Sequence, residues 1–301
     1  MKSSQPPSPA KAATTTYPLA EKEDGIVEVA DVKVHVLVPA HGRADLLNTT
    51  LVSLVEGIVA GVRLTVVDDA TPDDSVAQVA RTLAVEYVRN GTQLGVAANF
   101  NRCLDLSVGV YTVIMGSDDI IDRSFLALLV GGASSPLLPT MITTRVRVID
   151  GEGRPVIPLV DRIKSALSPR RGTGSRVVQG DRALATILAG NWLYFPAIAW
   201  RTEQARALRF RTDMTTAMDL DLIARLLLDG GSILRLDTTA FNYRRHASSV
   251  SAIETQSGAR FVEEEQVIRD AGRAARTRRW WASSLMASLR PTHRLHRILV
   301  G

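Results

Sequence analysis

The 301-residue chain carries 36 Lys and Arg against 31 Asp and Glu, for a formal net charge of +5, and is 46% hydrophobic and 22% charged. That balance suits one buried core, or a core with a small appendage, and excludes a chain too polar to fold. No stretch approaches the roughly 20 uncharged apolar residues of a spanning helix, and no apolar block follows a basic one at the start. With Cys103 as its single cysteine, the expected location is the reducing cytoplasm, and that thiol is assigned to the core.

Residues 1 to about 24 are rich in Pro, Ser, Thr and Ala without apolar periodicity and are expected to be a disordered leader. An alternation follows: an apolar strand at Val32 to Val38, a helix at Asp45 to Val59, a strand at Leu64 to Val67 and a helix at Ser75 to Leu83. It continues with a short strand at Val85 to Val88, a helix at Val96 to Leu106 and a strand at Val110 to Met115. Strands that are apolar throughout and alternate with helices predict a parallel sheet covered on both faces. The pattern then mixes. A helix near Asp122 to Val130 precedes a strand at Met141 to Val148 and a basic, Pro- and Gly-containing stretch from Asp161 to Gly180, read as a mobile loop near the site. Beyond it stand a helix at Arg182 to Ala189, an apolar segment from Trp192 to Trp200, a helix at Thr215 to Leu228 and a last strand at Ala240 to Arg244.

In open α/β sheets ligands bind outside the carboxyl ends of the strands, which directs attention to four loops. They read Pro39-Ala40-His41-Gly42-Arg43, then Asp68 to Asp74, then Asn90 to Gly95, then Gly116-Ser117-Asp118-Asp119. The adjacent carboxylates Asp118 and Asp119 repel each other unless a cation or donor network holds them, and Mg²⁺ or Mn²⁺ takes such oxygen ligands; helix capping by Ser117 or Asp118 is the plainer reading. Asp68-Asp69 is either a nucleoside acceptor, through a uracil imide N–H or a ribose hydroxyl, or an Asp-rich turn. Gly95 stands where a helix begins and where backbone N–H groups meet phosphate. His41 alone does not decide between a ligand and a structural histidine.

On the later helix, Asp219 and Asp221 point about 200° apart. Asp221 stands four before Arg225 and suits a surface ion pair, which leaves Asp219 as the candidate general base. His246, after the last strand, is a candidate metal or diphosphate contact, with Arg244 or Arg245 adding positive charge.

Together these segments resemble glycosyltransferase family 2 over about residues 32 to 250. Val36 to Arg43 is similar to the family's first strand and loop, Val66 to Thr71 to its Val-Asp-Asp-Gly-Ser motif, and Asn90 to Asn99 to its Asn-x-Gly-x-x-x-Ala-x-Asn segment. Gly116 to Asp119 stands at the metal-binding Asp-x-Asp, Met218 to Leu222 at Glu-Asp-x-Asp-Leu, and Gly190-Asn191-Trp192 at the acceptor-side segment. Tyr243 to His246 with Ser248 to Ser251 is similar to the closing motif. The resemblance implies a GT-A, Rossmann-like α/β fold, with a mostly parallel central sheet flanked by helices and a mixed acceptor-side half. It implies inverting transfer from a nucleotide sugar, with Pro39, Ala40, His41, Arg43, Asp68, Asp69, Gly95, Asn99, Ser117 and Asp118 binding the donor. Asp118, Asp119 and His246 would hold Mg²⁺ or Mn²⁺, Asp219 would be the base, and Asn191 and Trp192 would face the acceptor. Gly116 departs from the first Asp of the metal motif, Met218 from the Glu beside the base, and Ala98 from a frequent Arg.

The expected organisation is a catalytic domain over 25–255, with a donor half at about 32–120 and an acceptor half at about 121–255, and a basic helical tail over 256–301. Eight arginines from Arg269 to Arg297 stand against one acid, Asp270, interleaved with Trp280, Trp281, Leu285 and Ile298. Such a tail suits an anionic membrane surface at the inner face of the membrane and a lipid-linked or saccharide acceptor; packing of its Trp pair on the catalytic domain is the equal alternative. Two rival functions are a non-catalytic module binding an anionic polymer and a nucleotidyltransferase. The carboxylate rim opposes the first, so no nucleic acid partner is expected, and the lack of a Gly-rich basic loop after the first strand opposes the second.

Overall fold

The computed structural model describes residues 31–157, 174–245 and 259–289, with residues 162 and 291. The expected leader, His246, the end of the basic tail and much of the stretch from 161 lie outside the described residues.

β1 (Val34–Ala40), β2 (Val62–Asp68), β3 (Glu86–Arg89) and β4 (Tyr111–Ile114) alternate with α1 (Ala44–Glu56), α2 (Ser75–Thr82) and α3 (Val96–Leu106). These strands pair in parallel in the order β3-β2-β1-β4, with Val36 of β1 opposite Leu64 of β2 and Val113 of β4. β1 is buried on both faces because its residues alternate between two cores. Val34, Val36 and Val38 join one with Leu47 and Leu51 of α1, and Leu37 joins the other with Cys103 and Leu104 of α3. That two-sided burial is what apolar, β-branched strands without polar alternation require.

The sheet continues as β8-β6-β9-β5, with β7 also on β9. β8 (Ile198–Arg201) is antiparallel to both β4 and β6 (Met141–Ile149), whereas β9 (Ser232–Arg244) is parallel to β6. The far edge of β9 is covered by β7 (Arg176–Gln179) at its start and by the two-residue β5 (Ile120–Ile121) near its end. The sheet is thus parallel in its first half and mixed in its second. α4 (Phe125–Ala133), α5 (Gly180–Gly190), α6 (Thr202–Leu208) and α7 (Met218–Leu228) complete the layers.

Part of the stretch read as a loop is ordered: Arg176–Gln179 pairs antiparallel with Ser232–Arg235. Two helices end the described chain, α8 (Ala259–Thr277) and α9 (Trp281–Leu289). Val267, Ile268, Ala271 and Ala275 of α8 belong to the same buried cluster as Leu222 and Ile223 of α7. Asp181, in the first turn of α5, accepts bonds from Ala282 N (3.0 Å) and Ser283 N (2.7 Å), which supplies the start of α9 with a carboxylate cap. Gly272 brings the two last helices together so closely that a Cβ there would lie 2.5 Å from Ala287 Cβ.

Candidate active site

The parallel strands end level with one another. Asp69 N donates to Ala40 O (2.8 Å), Asn90 N to Asp68 O (2.8 Å) and Met115 N to Leu37 O (3.0 Å), so the four loops form one rim. Pro39 is half-buried and Ala40 buried at the end of β1, while His41 and Arg43 are exposed. His41 Nδ1 donates to the Asp69 carbonyl (3.0 Å) and Gly42 N to Thr71 Oγ1 (2.9 Å), which laces the first loop to the second. Arg43 enters α1 in the left-handed region, at φ 52°.

The two carboxylates of the second loop do different work. Asp68 is 0% exposed. Its Oδ1 accepts from Thr71 N (2.9 Å) and Thr71 Oγ1 (2.6 Å), its Oδ2 accepts from the Tyr87 hydroxyl (2.6 Å), and Arg89 Nε stands 3.8 Å away. Its lone pairs thus hold the turn from inside. Burial first, then the Asp68 carboxylate, pushes the Tyr87 hydroxyl upward, so it stays protonated and keeps donating. Asp69 accepts from Asn90 Nδ2 (2.9 Å) and Leu94 N (2.8 Å) on Oδ1 and from Gly95 N (3.0 Å) on Oδ2. A carboxylate has about four lone-pair sites, and among the described residues one on Oδ2 is not engaged. Gly95, at φ 84°, turns its own N–H to Asp69 rather than to a phosphate, and Asn99 accepts the second proton of the Asn90 amide (2.9 Å). Gly95 and Asn99 thus build the loop from within.

In the fourth loop Ser117 and Asp118 are half-exposed and Asp119 is 1% exposed. Burial, and then the neighbouring Asp118 charge, holds the Asp119 carboxyl well above the usual carboxylate range. Arg244 at the end of β9 clamps this turn: its N–H donates to Asp119 Oδ1 (2.9 Å), its Nε to the Asp118 carbonyl (2.9 Å) and its Nη1 to the Gly151 carbonyl (2.6 Å). Those bonds engage Arg244 with protein carbonyls rather than with a diphosphate. A Cβ on Gly116 would lie 2.8 Å from Asp118 Oδ1 and 3.0 Å from Asp119 Oδ2. Oxygens of both carboxylates therefore border one small space that only glycine leaves open. Among the described residues no three His, Cys, Asp or Glu side chains gather as a complete metal cage. Mg²⁺ and Mn²⁺ at phosphate sites need less, one or two carboxylates with phosphate oxygens completing the shell, and Asp118 with Asp119 fits that donor set.

Asp221 is buried and bonds Arg225 at 2.6 Å, four residues on, while Asp219 is half-exposed at the start of α7. Asn191 follows α5 at φ 24°, and its buried Oδ1 has no hydrogen-bond partner among the described residues. Trp192 lies in the core with its Nε1 donating to Thr186 Oγ1 (3.1 Å).

Residues 35–197, just over half of the chain, match the model of glycosyl transferase family 2. The chain belongs to that family. It is a glycosyltransferase, and the polymer-binding and nucleotidyltransferase readings fall away. Over 250 residues it is 26% identical to the uncharacterized protein MT1568 of Mycobacterium tuberculosis (strain CDC 1551 / Oshkosh), covering 78% of this chain and 74% of that protein. The fold is similar to that of S. aureus TarS residues 1–349 in complex with UDP-GlcNAc, with a TM-score of 0.61 at 16% identity over 80% of this chain. It is also similar to the mannosyltransferase PcManGT of Pyrobaculum calidifontis, in complex with GDP-Man and Mn²⁺, with a TM-score of 0.60 at 18% identity over 88% of this chain and 73% of that one. The aligned region spans 66% of the TarS chain. The architecture shared by these structures is GT-A. Among the described residues no helix is long and apolar enough to cross a membrane.

Proposed function

We propose that this glycosyltransferase takes a nucleoside-diphosphate sugar, with UDP-sugars first, and transfers the sugar with inversion to an acceptor hydroxyl. The observation that carries the reading is the rim itself, where Asp69 follows β2 and Asp118 follows β4, the two strands that flank β1, at the carboxyl ends of the parallel sheet. Asp69 Oδ2 keeps one lone pair for an imide N–H, the feature that favours uridine. The likeness to proteins solved with UDP-GlcNAc and with GDP-Man and Mn²⁺ supports a donor of this class and a divalent cation. Asp118, with Asp119 behind it, would hold Mg²⁺ or Mn²⁺; when bound, that ion supplies charge neutralisation to the departing diphosphate. His246 as a further ligand lies outside the described residues.

Asp219 takes the proton of the acceptor hydroxyl as its oxygen bonds the anomeric carbon from the face opposite the diphosphate, and the bond from that carbon to the diphosphate oxygen breaks. Asn191, whose buried oxygen has no partner among the described residues, orients an acceptor hydroxyl. Asp219→Asn removes the base but keeps its shape. Release of nucleoside diphosphate from UDP-glucose, UDP-GlcNAc or GDP-mannose with Mn²⁺ should fall about 100-fold or more while donor KM stays within about twofold. Undiminished turnover would remove Asp219 from the role.

A place in cell-surface polysaccharide or glycoconjugate synthesis, at the cytoplasmic face of a membrane and on a saccharide or lipid-linked acceptor, fits the surface of α9. Trp281, Leu285 and Leu289 recur every four residues on its outer side and are exposed, and Arg276, Arg278 and Arg279 beside them are exposed too. Trp over a basic surface suits the headgroup level of an anionic membrane.

A further inference from the structure

The helix that carries the candidate base does not cap itself. α7 begins after Ala217, which has no side-chain acceptor to offer, and no side-chain bond caps it locally. The four N-terminal N–H groups of a helix and those of its entering turn still need partners. Those of the entering turn, at residues 215–217, find one 46 to 48 residues later in the chain. Glu263, on α8, turns one carboxylate onto three successive residues: Oε1 accepts from Thr215 N (2.9 Å) and Thr215 Oγ1 (3.0 Å), and Oε2 from Thr216 N (2.8 Å), Thr216 Oγ1 (3.0 Å) and Ala217 N (2.9 Å). Three consecutive backbone N–H groups around one carboxylate form a concave nest, and a negative charge there also meets the positive end of the α7 dipole. Burial alone would raise the Glu263 carboxyl, but the N–H groups of Ala217, Thr215 and Thr216 outweigh it and hold the carboxyl below its usual range. One helical turn earlier, Arg260 pairs with Glu264 at 2.7 Å and lies within electrostatic reach of Asp219 and Tyr243. The same face of α8 thus fixes the turn two residues before Asp219 and presents a cation to Asp219 itself.

We propose that Glu263 is a positioning residue, which fixes the start of α7 so that the Asp219 carboxylate stands ready for the acceptor proton. The inference rests on the reading of Asp219 as base. Glu263 touches no donor or acceptor; it acts through the 215–217 turn. A displaced base costs rate steeply, since an error of about 1 Å at a reacting group can cost about 100-fold.

The test uses the full chain, with whichever of UDP-glucose, UDP-GlcNAc and GDP-mannose the wild type cleaves fastest in Mn²⁺. Glu263→Ala should lower kcat about 10- to 100-fold with donor KM within about twofold. Glu263→Gln, which keeps one acceptor oxygen but turns an amide N–H₂ toward the remaining donors, should fall between. In the Asp219→Asn background, Glu263→Ala should change the residual rate less than about twofold, because residues acting through one group are not additive. Folding of each variant is read by circular dichroism. A folded Glu263→Ala with kcat within about twofold of wild type overturns the proposal, as does an equal loss in both backgrounds. A chain that folds in neither variant overturns it too, since Glu263 would then hold the fold rather than the base. Undiminished turnover by Asp219→Asn is a separate result, which defeats the base assignment itself.

Discussion

His35 on β1 shows how a single side chain sets a stability limit apart from the site. It is buried, its Nε2 lies 2.9 Å from Thr65 Oγ1, and its Nδ1 accepts from Val108 N at 3.2 Å. Burial, with a smaller push from Arg63, lowers its pKa from 6.5 to about 3, so the folded chain keeps it neutral. Between those two values the unfolded chain binds the extra proton and the folded chain does not, so stability falls as pH falls through that window. About 2 kcal/mol should be lost between pH 7 and pH 5, measured by urea unfolding, and His35→Gln should flatten that slope. An unchanged slope in the variant would contradict the assignment. At this scale the sequence revealed the adjacent carboxylates but not their division of labour. Asp68 and Asp69 are neighbours in the chain, and beyond the local turn from Asp68 to Thr71 what tells them apart comes from Tyr87, Arg89, Asn90 and Gly95. Long-range partners of this kind leave no local pattern.

Among the elements, the regular ones were readable and the short ones were not. β1 to β4 and α1 to α3 carry uniform apolar runs or helical spacing, and their observed bounds lie close to those read from the pattern. β5 has two residues and β7 four, both paired to the edge of β9, so their existence depends on a neighbour rather than on their own periodicity. β9 extends from Ser232, well before the expected Ala240, because it pairs with β6 across register shifts between Thr143 and Val146. α9 makes the membrane proposal testable. Its Trp281 is 81% exposed, while Ser283 and Ala287 on the opposite side are buried. The full chain should co-sediment with vesicles of phosphatidylglycerol and phosphatidylcholine and release with salt, whereas a Trp281→Ser, Leu285→Ser, Leu289→Ser variant should stay in the supernatant. Equal sedimentation of the two proteins would defeat this role for α9.

For the whole molecule, the tail and the catalytic layers form one connected structure. Asp181 of α5 caps α9, and Glu263 of α8 holds the start of α7. Neither link was legible, because a carboxylate that caps a helix at a distance of 46 to 102 residues has no spacing rule. What was legible is the rim of four loops, since the order of strands and the residues at their carboxyl ends suffice to put those loops together. The central claim is that this rim takes a nucleoside diphosphate with a divalent cation at Asp118. The direct measurement is thermal unfolding of the full chain with UDP, GDP, UDP-GlcNAc or GDP-mannose, each with and without Mn²⁺. At about a hundredfold excess over Kd, at least one nucleotide should raise Tm by about 5 °C in Mn²⁺ and by much less without it. Asp118→Asn should lose that metal-dependent part. Equal stabilisation with and without Mn²⁺, or none from any of the four, would contradict the account.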